Sequence, residues 1–179
     1  MKRFIQIAAA VLMVAGLATP MSLLAQDKDE KLINDNKEAK ADFIKADSLM
    51  KHLFDNSAGY VIFPNVGKGA IGVGGAAGNG ILYEGEKAVG RASMKQVNVG
   101  FQFGGKAYRE VIFFENQAAL DRFKQNKFEF DAQASAVAAN VGAAANIKYR
   151  NGVMVFTQEK GGLMYEASVG GQKFDYSAF

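Results

Sequence analysis

The sequence predicts an α+β domain: N-terminal helices and one middle helix packed on a strongly curved, mainly antiparallel sheet that could close into a barrel. Two observations carry this. Between Gln26 and Asn56, Leu32, Ala39, Phe43, Ala46, Met50 and Leu53 recur at helical spacing and make one apolar face. After Gly59, short apolar or alternating runs are separated by glycine, and several of the glycines sit where they would let another backbone come close.

The first residues read as a secretory signal. Lys2 and Arg3 precede an apolar core from Phe4 to Leu17, and cleavage is expected after Ala25 or after Ala18. The alternative is an uncleaved anchor, for which the run is short. The expected organisation is a signal at 1–25, a helical segment at 26–56, and a glycine-rich, β-dominated part at 57–179 that forms one globular unit with the helices. The signal carries two basic residues and no acid, so the net charge without it drops from +3 to +1. That balance disfavours nucleic acid as a partner. The chain has no cysteine, which excludes disulfides, thiolate ligands and a lipoprotein attachment site.

The helical segment breaks at Asp47 and Ser48, with Asp47 expected to cap a short second helix that reaches Phe54. Six lysines and eight acids make this segment net −2. Its apolar face fits docking on its own sheet, with lipid contact as the other use of such a face. Tyr60–Phe63 is a strand, and Pro64-Asn65 is expected to end it. Tyr83–Lys87 reads as a hairpin turn. Val97, Val99, Phe101 and Phe103 alternate as a strand, Gly104-Gly105 turns it, and Tyr108–Phe114 is the next strand. Asn116 caps a helix that buries Leu120 and Phe123. Phe128–Ala136 alternates strictly and reads as a strand in spite of its alanines. Asn151-Gly152 joins a hairpin between Ile147–Tyr149 and Val153–Phe156. Leu163–Val169 and Phe174–Tyr176 complete the sheet. An internal echo relates Gly59–Phe63 and Lys68 to Gly152–Phe156 and Lys160, which would put the two lysines on equivalent turns.

Chemistry is sparse. Gly67-x-Gly69-x-x-Gly72 matches a dinucleotide fingerprint literally, but Asn79-Gly80 leaves no room for the helix that motif needs. His52 is the single histidine, it sits on a helix beside Lys51, and no nucleophile elbow accompanies it. One histidine without cysteine excludes the usual structural zinc sets. No catalytic residue, cofactor or metal is expected, and a hydrolase is the least favoured reading. The phenylalanines read mainly as core, with an acyl-chain groove as the alternative. An outer-membrane barrel is disfavoured because Ser177, Asp175 and Lys173 give the last strand a polar face.

The ordered set Gly59–Gly69 (GYVIFPNVGKG), Gly72-x-Gly74-Gly75-x-x-Gly78-x-Gly80, Gly100–Gly104 (GFQFG), Val111–Phe114, Phe128–Ser135 and Lys160–Leu163 (KGGL) resembles the SYLF domain, also called the Ysc-type actin-binding domain. The likeness runs over residues 40 to 176 and looks most like a secreted bacterial branch. The resemblance implies an exported, non-catalytic module that binds membrane lipid, periplasmic or extracellular. A protein-interaction or structural role in the envelope is the alternative. Lys68 and Lys160 match basic positions of the family motifs. With Arg91, Lys95 and Lys106 they are the candidates for lipid headgroup contact. Gly90–Ser93 replaces an aromatic segment common in the family. An exported protein meets neither actin nor cytoplasmic phosphoinositides, so actin is not an expected partner.

Overall fold

The computed structural model describes residues 21–68, 75–97, 107–130, 135–138, 142, 144, 148–160 and 166–179. The chain divides into two compact units, residues 1–31 and 32–179. Of the first unit, the described part is helical: helix α1 begins at Met21 and runs to Ala46. Ala25, an expected cleavage position, therefore lies within α1. All that follows concerns the second unit.

After α1, Asp47 breaks the helix, but it does not cap the next one as expected: the N-cap of that helix is Leu49, without a side-chain cap bond. Asp47 Oδ1 accepts the Leu49 N–H at 3.0 Å and its Oδ2 accepts the Ala144 N–H at 2.9 Å. Helix α2 (Met50–Asn56) follows directly. Strand β1 (Gly59–Lys68) pairs with β2 (Gly75–Glu84), which turns at Gly85 into β3 (Lys87–Val97). Gly85 has φ +58°, the left-handed conformation a tight hairpin needs. Strand β4 (Tyr108–Phe114) leads to α3 (Gln117–Lys124), capped by Asn116, whose Oδ1 accepts the Ala119 N–H at 3.0 Å. Strands β5 (Ser135–Ala138), β6 (Val153–Glu159), β7 (Glu166–Ser168) and β8 (Gln172–Ala178) complete the sheet.

The sheet order is β7-β5-β6-β4-β1-β2-β3-β8, antiparallel throughout except for β5 with β6. It is an open ladder with β7 and β8 as its edges. This corrects the strongly curved, barrel-like sheet expected from the glycines. Closure is one way to remove sheet edges; short edge strands, edge charges and covering segments are others. Here β7 has three residues, and β8 carries exposed Lys173 and Asp175. The segment before β5 also lies along β8: the Phe130 N–H donates to Gln172 O at 3.2 Å. The glycines act between neighbouring strands. A Cβ on Gly80 would stand 2.3 Å from Ile62 O on β1, and one on Gly90 would stand 2.5 Å from Ser177 O on β8.

Each face has its own core. One holds Val61, Phe63, Ile112, Phe114 and Phe174 with Leu120 and Phe123 of α3 and with Phe128 and Phe130. The other holds Tyr60, Ile62, Ile81, Val111, Phe113 and Phe156 beneath Ala39, Phe43, Met50 and Phe54 of α1 and α2. These aromatic rings pack as core, while Phe101 and Phe103 lie outside the described residues.

Three local expectations change. Pro64 and Asn65 do not end β1; the strand runs on through a bulge between Ile62 and Asn65, which accommodates the proline's missing N–H. Asn151 and Gly152 do turn, with φ of 52° and 81°, but the approach to the turn is reduced to a bridge from Arg150 to Val153. Phe128 and Phe130 are buried without forming a regular strand; Glu129 makes a single bridge to Lys173. Val99 to Gly105, Gly72 and Leu163 lie outside the described residues. β2 begins at Gly75, and a strand occupies the place where a nucleotide fingerprint needs its helix.

Candidate functional site

Among the described residues, the face that carries α1 and α2 is covered over only part of its length. Strand register shows what the rest presents. Gly67 of β1 pairs with Ala77 of β2, Ala77 with Lys95 of β3, and Lys95 with Lys173 of β8. The next row is Asn65, Asn79, Ser93 and Asp175. In antiparallel strands, residues paired this way project to one side. Asn65, Asn79, Lys95, Lys173 and Asp175 are exposed. A third row, Ile62, Ile81, Arg91 and Ser177, marks the boundary, since its isoleucines are buried in the helix-covered core while Arg91 and Ser177 remain exposed.

This bare end is floored by small side chains and rimmed by cations. A Cβ added to Gly67 would meet nothing within 4 Å. On the β8 side stand Arg91, Lys95 and Lys173. The Arg91 guanidinium lies 5.7 Å from the centre of the exposed Phe179 ring. Lys173 Nζ is 3.6 Å from Glu129 Oε2, a pair with both partners exposed and therefore weak. On the other side Lys160 donates to Asn65 Oδ1, a neutral acceptor. Lys95 and Lys173 stand directly opposite each other, and like charges so placed destabilise a sheet.

At the covered end, charges are matched instead. Lys40 Nζ of α1 donates to Tyr60 Oη at 3.0 Å and Glu86 Oε1 at 2.9 Å, and it lies 5.1 Å from the centres of the Phe54 and Tyr60 rings. Burial works against its charge, but the hydrogen bonds to Tyr60 and Glu86 prevail and hold its pKa above the usual lysine value. Arg109 of β4, with its side chain 12% exposed, reaches Asp42 at 2.7 Å and Glu38 at 3.2 Å.

The structure thus gathers Arg91, Lys95 and Lys160 on one face. Lys68 closes β1 at the same end of the sheet as Lys160, because β1 and β6 flank β4 and run the same way. Lys106 lies outside the described residues, as does the Lys68 side chain. Lys173 was not among the residues picked out from the sequence. Its signal was the polar alternation of Lys173, Asp175 and Ser177; what the sequence could not supply was the β3–β8 register that sets Lys173 against Lys95. His52 is exposed on α2 with its Nδ1 3.0 Å from Asn56 Nδ2, a surface helical histidine.

Residues 95–177 match the family model Ysc84, described as "Las17-binding protein actin regulator". The matched span begins at Lys95 and takes in α3 and strands β4 to β8. A curated relative, "Beta cell expansion factor A" of Aeromonas veronii, is 29% identical over 126 residues, or 69% of this chain and 48% of the relative. The chain spans about half the length of that relative.

The Ysc84/SYLF likeness is thus present over part of the chain. The matched description is of a binding and regulatory protein, and among the described residues no three His, Cys, Asp or Glu group to hold a metal. The same description overturns three expectations. A Las17-binding actin regulator is not an exported membrane-lipid module or an envelope structural protein. Its name does not place it in a periplasmic or extracellular setting. The expectation that actin is no partner falls as well, because the matched model is described as an actin regulator. No helix among the described residues is long and apolar enough to cross a membrane.

Proposed function

We propose that this chain is a non-catalytic binding domain of the Ysc84/SYLF kind whose bare sheet end receives an acidic protein surface, the partner being actin or a protein that regulates it. The observation that carries the reading is the row Gly67, Ala77, Lys95, Lys173. Two lysines face each other across strands beside a floor with no side chain larger than a methyl group. Such a row costs the isolated sheet stability, and an incoming carboxylate relieves it. Arg91, Lys95 and Lys160 are assigned to contact, with Lys173 added. Lys68 belongs to the same reading through its place at that end of β1, and Lys106, outside the described residues, joins it from the sequence alone. The domain is taken as residues 26–179. Its place in a bacterial branch of the family is supported by the Aeromonas veronii relative.

Co-sedimentation of the full chain with filamentous actin at low and raised salt tests this. The chain should pellet with the filaments, more weakly as salt screens the contact. Lys95→Glu combined with Lys160→Glu should weaken binding by about tenfold or more, with the circular dichroism spectrum unchanged. Failure of the unmodified chain to pellet at low salt removes actin. Pelleting that survives the double reversal removes this face.

A further inference from the structure

On the opposite face, β4 carries a fully buried carboxyl group. Glu110 lies between Tyr108 and Ile112, on the side of the sheet that packs against α3. Gln172, the first residue of β8, donates its Nε2 to Glu110 Oε2 at 3.0 Å and lies 3.5 Å from Gln96 Oε1. Gln96 of β3 donates to Gly170 O at 3.1 Å. The backbone of Gln172 also holds the Phe130 segment through the Phe130 N–H, and the Gly171 N–H donates to Phe130 O at 3.1 Å. One side-chain chain thus ties β4, β3, the start of β8 and the segment before β5.

Its hydrogen bonds are not all matched. Glu110 Oε1, Gln172 Oε1 and Thr157 Oγ1 are buried and have no partner among the described residues. Thr157 stands opposite Glu110 across the β4–β6 ladder, and Phe63 stands opposite it on β1. An ionised carboxylate only accepts, and the donors around it, the Gln172 amide and the hydroxyls of Thr157 and Tyr108, are all neutral; the protonated acid adds a donor of its own. Among the described residues, the groups that face it are Tyr108 from its own strand, Gln172 from β8, Gln96 from β3, Thr157 from β6 and Phe63 from β1. None of these is a cation. A buried carboxylate without a positive partner is among the costliest arrangements a protein interior can hold.

We propose that Glu110 is a proton-operated latch on β8. With the carboxyl protonated, Gln172, Gln96 and the Phe130 segment close over it. When the proton leaves, that corner opens and the carboxylate reaches water. Burial raises the Glu110 pKa to about 7, against the lowering effect of the Gln172 hydrogen bond. The folded value lies above the ordinary 4.5, so the contribution to stability is full below that ordinary value and is lost as pH rises through 7. The latch does not depend on what the other face binds.

Amide hydrogen exchange on the full chain at about pH 5.5 and about pH 8, corrected for intrinsic exchange, tests it. Protection of β8 amides should fall roughly tenfold or more at the higher pH while β1 and β4 hold. Glu110→Gln, which has the shape of the neutral acid, should keep β8 protected at both. Equal loss in the variant, or β8 protection independent of pH, overturns the latch. Difference infrared spectroscopy of the unmodified chain reads the same proton should the variant fail to fold. A carboxylic acid carbonyl band at about pH 6 that vanishes by about pH 8 supports the proposal. A Glu110 already ionised at pH 6 ends it.

Discussion

The two faces of this sheet treat polar groups in opposite ways. Under α1 and α2 the core is mainly apolar and aromatic, with Asn36 Oδ1 and the Tyr83 hydroxyl unmatched, and the charges that bound it, Lys40 and Arg109, sit at its rim with carboxylates in reach. Under α3 and the Phe128–Phe130 segment, the core is larger and encloses a carboxyl group, two glutamines and a threonine with three unmatched polar atoms. Partly exposed charges can be held with partners and water; a buried one must give up its charge or its burial. The proposed latch therefore belongs to the second face, where burial raises the Glu110 pKa. The difference also shows where sequence patterning stops being informative. Glu110 interrupts an otherwise apolar strand only one position from Arg109, and alternation alone does not say which of the two is buried.

The largest effect should come from the ring stack of the α3 face. Phe123 lies 5.1 Å from Phe114, 5.4 Å from Phe174 and 6.2 Å from Phe128 between ring centres, and is fully buried. It joins a helix, a central strand and the β8 edge. Phe123→Ala should destabilise the domain by about 3–5 kcal/mol in urea unfolding, through lost burial and the cavity left behind. If the loss is under about 1 kcal/mol, the α3 face is loosely packed and the contrast between the cores fails.

The rim of the other face should respond less. Arg109 has two carboxylates, Asp42 and Glu38, but the latter is largely exposed and the pair is accessible to salt. Arg109→Ala should cost about 1–2 kcal/mol, with the loss smaller at high salt. Protease nicking in the Leu32–Ala46 part of α1 should rise, because these pairs are among those that hold it to β4. A salt-independent loss would mean that the arginine acts through its packed stem rather than its charge.

Much of this architecture could be read from local chemistry. Asp47 breaks a helix and Asn116 begins one because both side chains satisfy backbone N–H groups nearby. The Gly85 turn and the buried Leu120 and Phe123 follow equally from neighbours in sequence. What escaped was set by partners distant in the chain. Pro64 looks like a stop, yet β1 continues past it because both β2 and β4 pair beyond the bulge. Openness of the sheet depends on edge strands whose protection comes from elsewhere in the chain. Lys173 joins the basic face only through the β3–β8 register, and the Glu110 cluster assembles residues 62 and 76 positions apart. Periodicity reports which side of an element is apolar, and it is silent about which polar residues of two strands will meet.

The smallest expected effect probes the bare end, where the contrast between covered and open sheet is sharpest. Gly80 and Gly67 both lie in the β1–β2 pair. A Cβ at Gly80 collides with the backbone of Ile62, whereas a Cβ at Gly67 projects into open space. Gly67 is outside the positive-φ set, so its backbone suits an alanine. Gly67→Ala should therefore leave stability within about 0.5 kcal/mol, or raise it slightly by restricting the unfolded chain. If that face merely awaits a packing partner from the same chain, the methyl group will destabilise instead, because the space it enters would be filled in solution. A neutral result in the urea midpoint, with unchanged exchange at β2 amides, means that Gly67 is free of any packing demand. The floor between Lys160 and Lys95 is then kept low for something outside the fold.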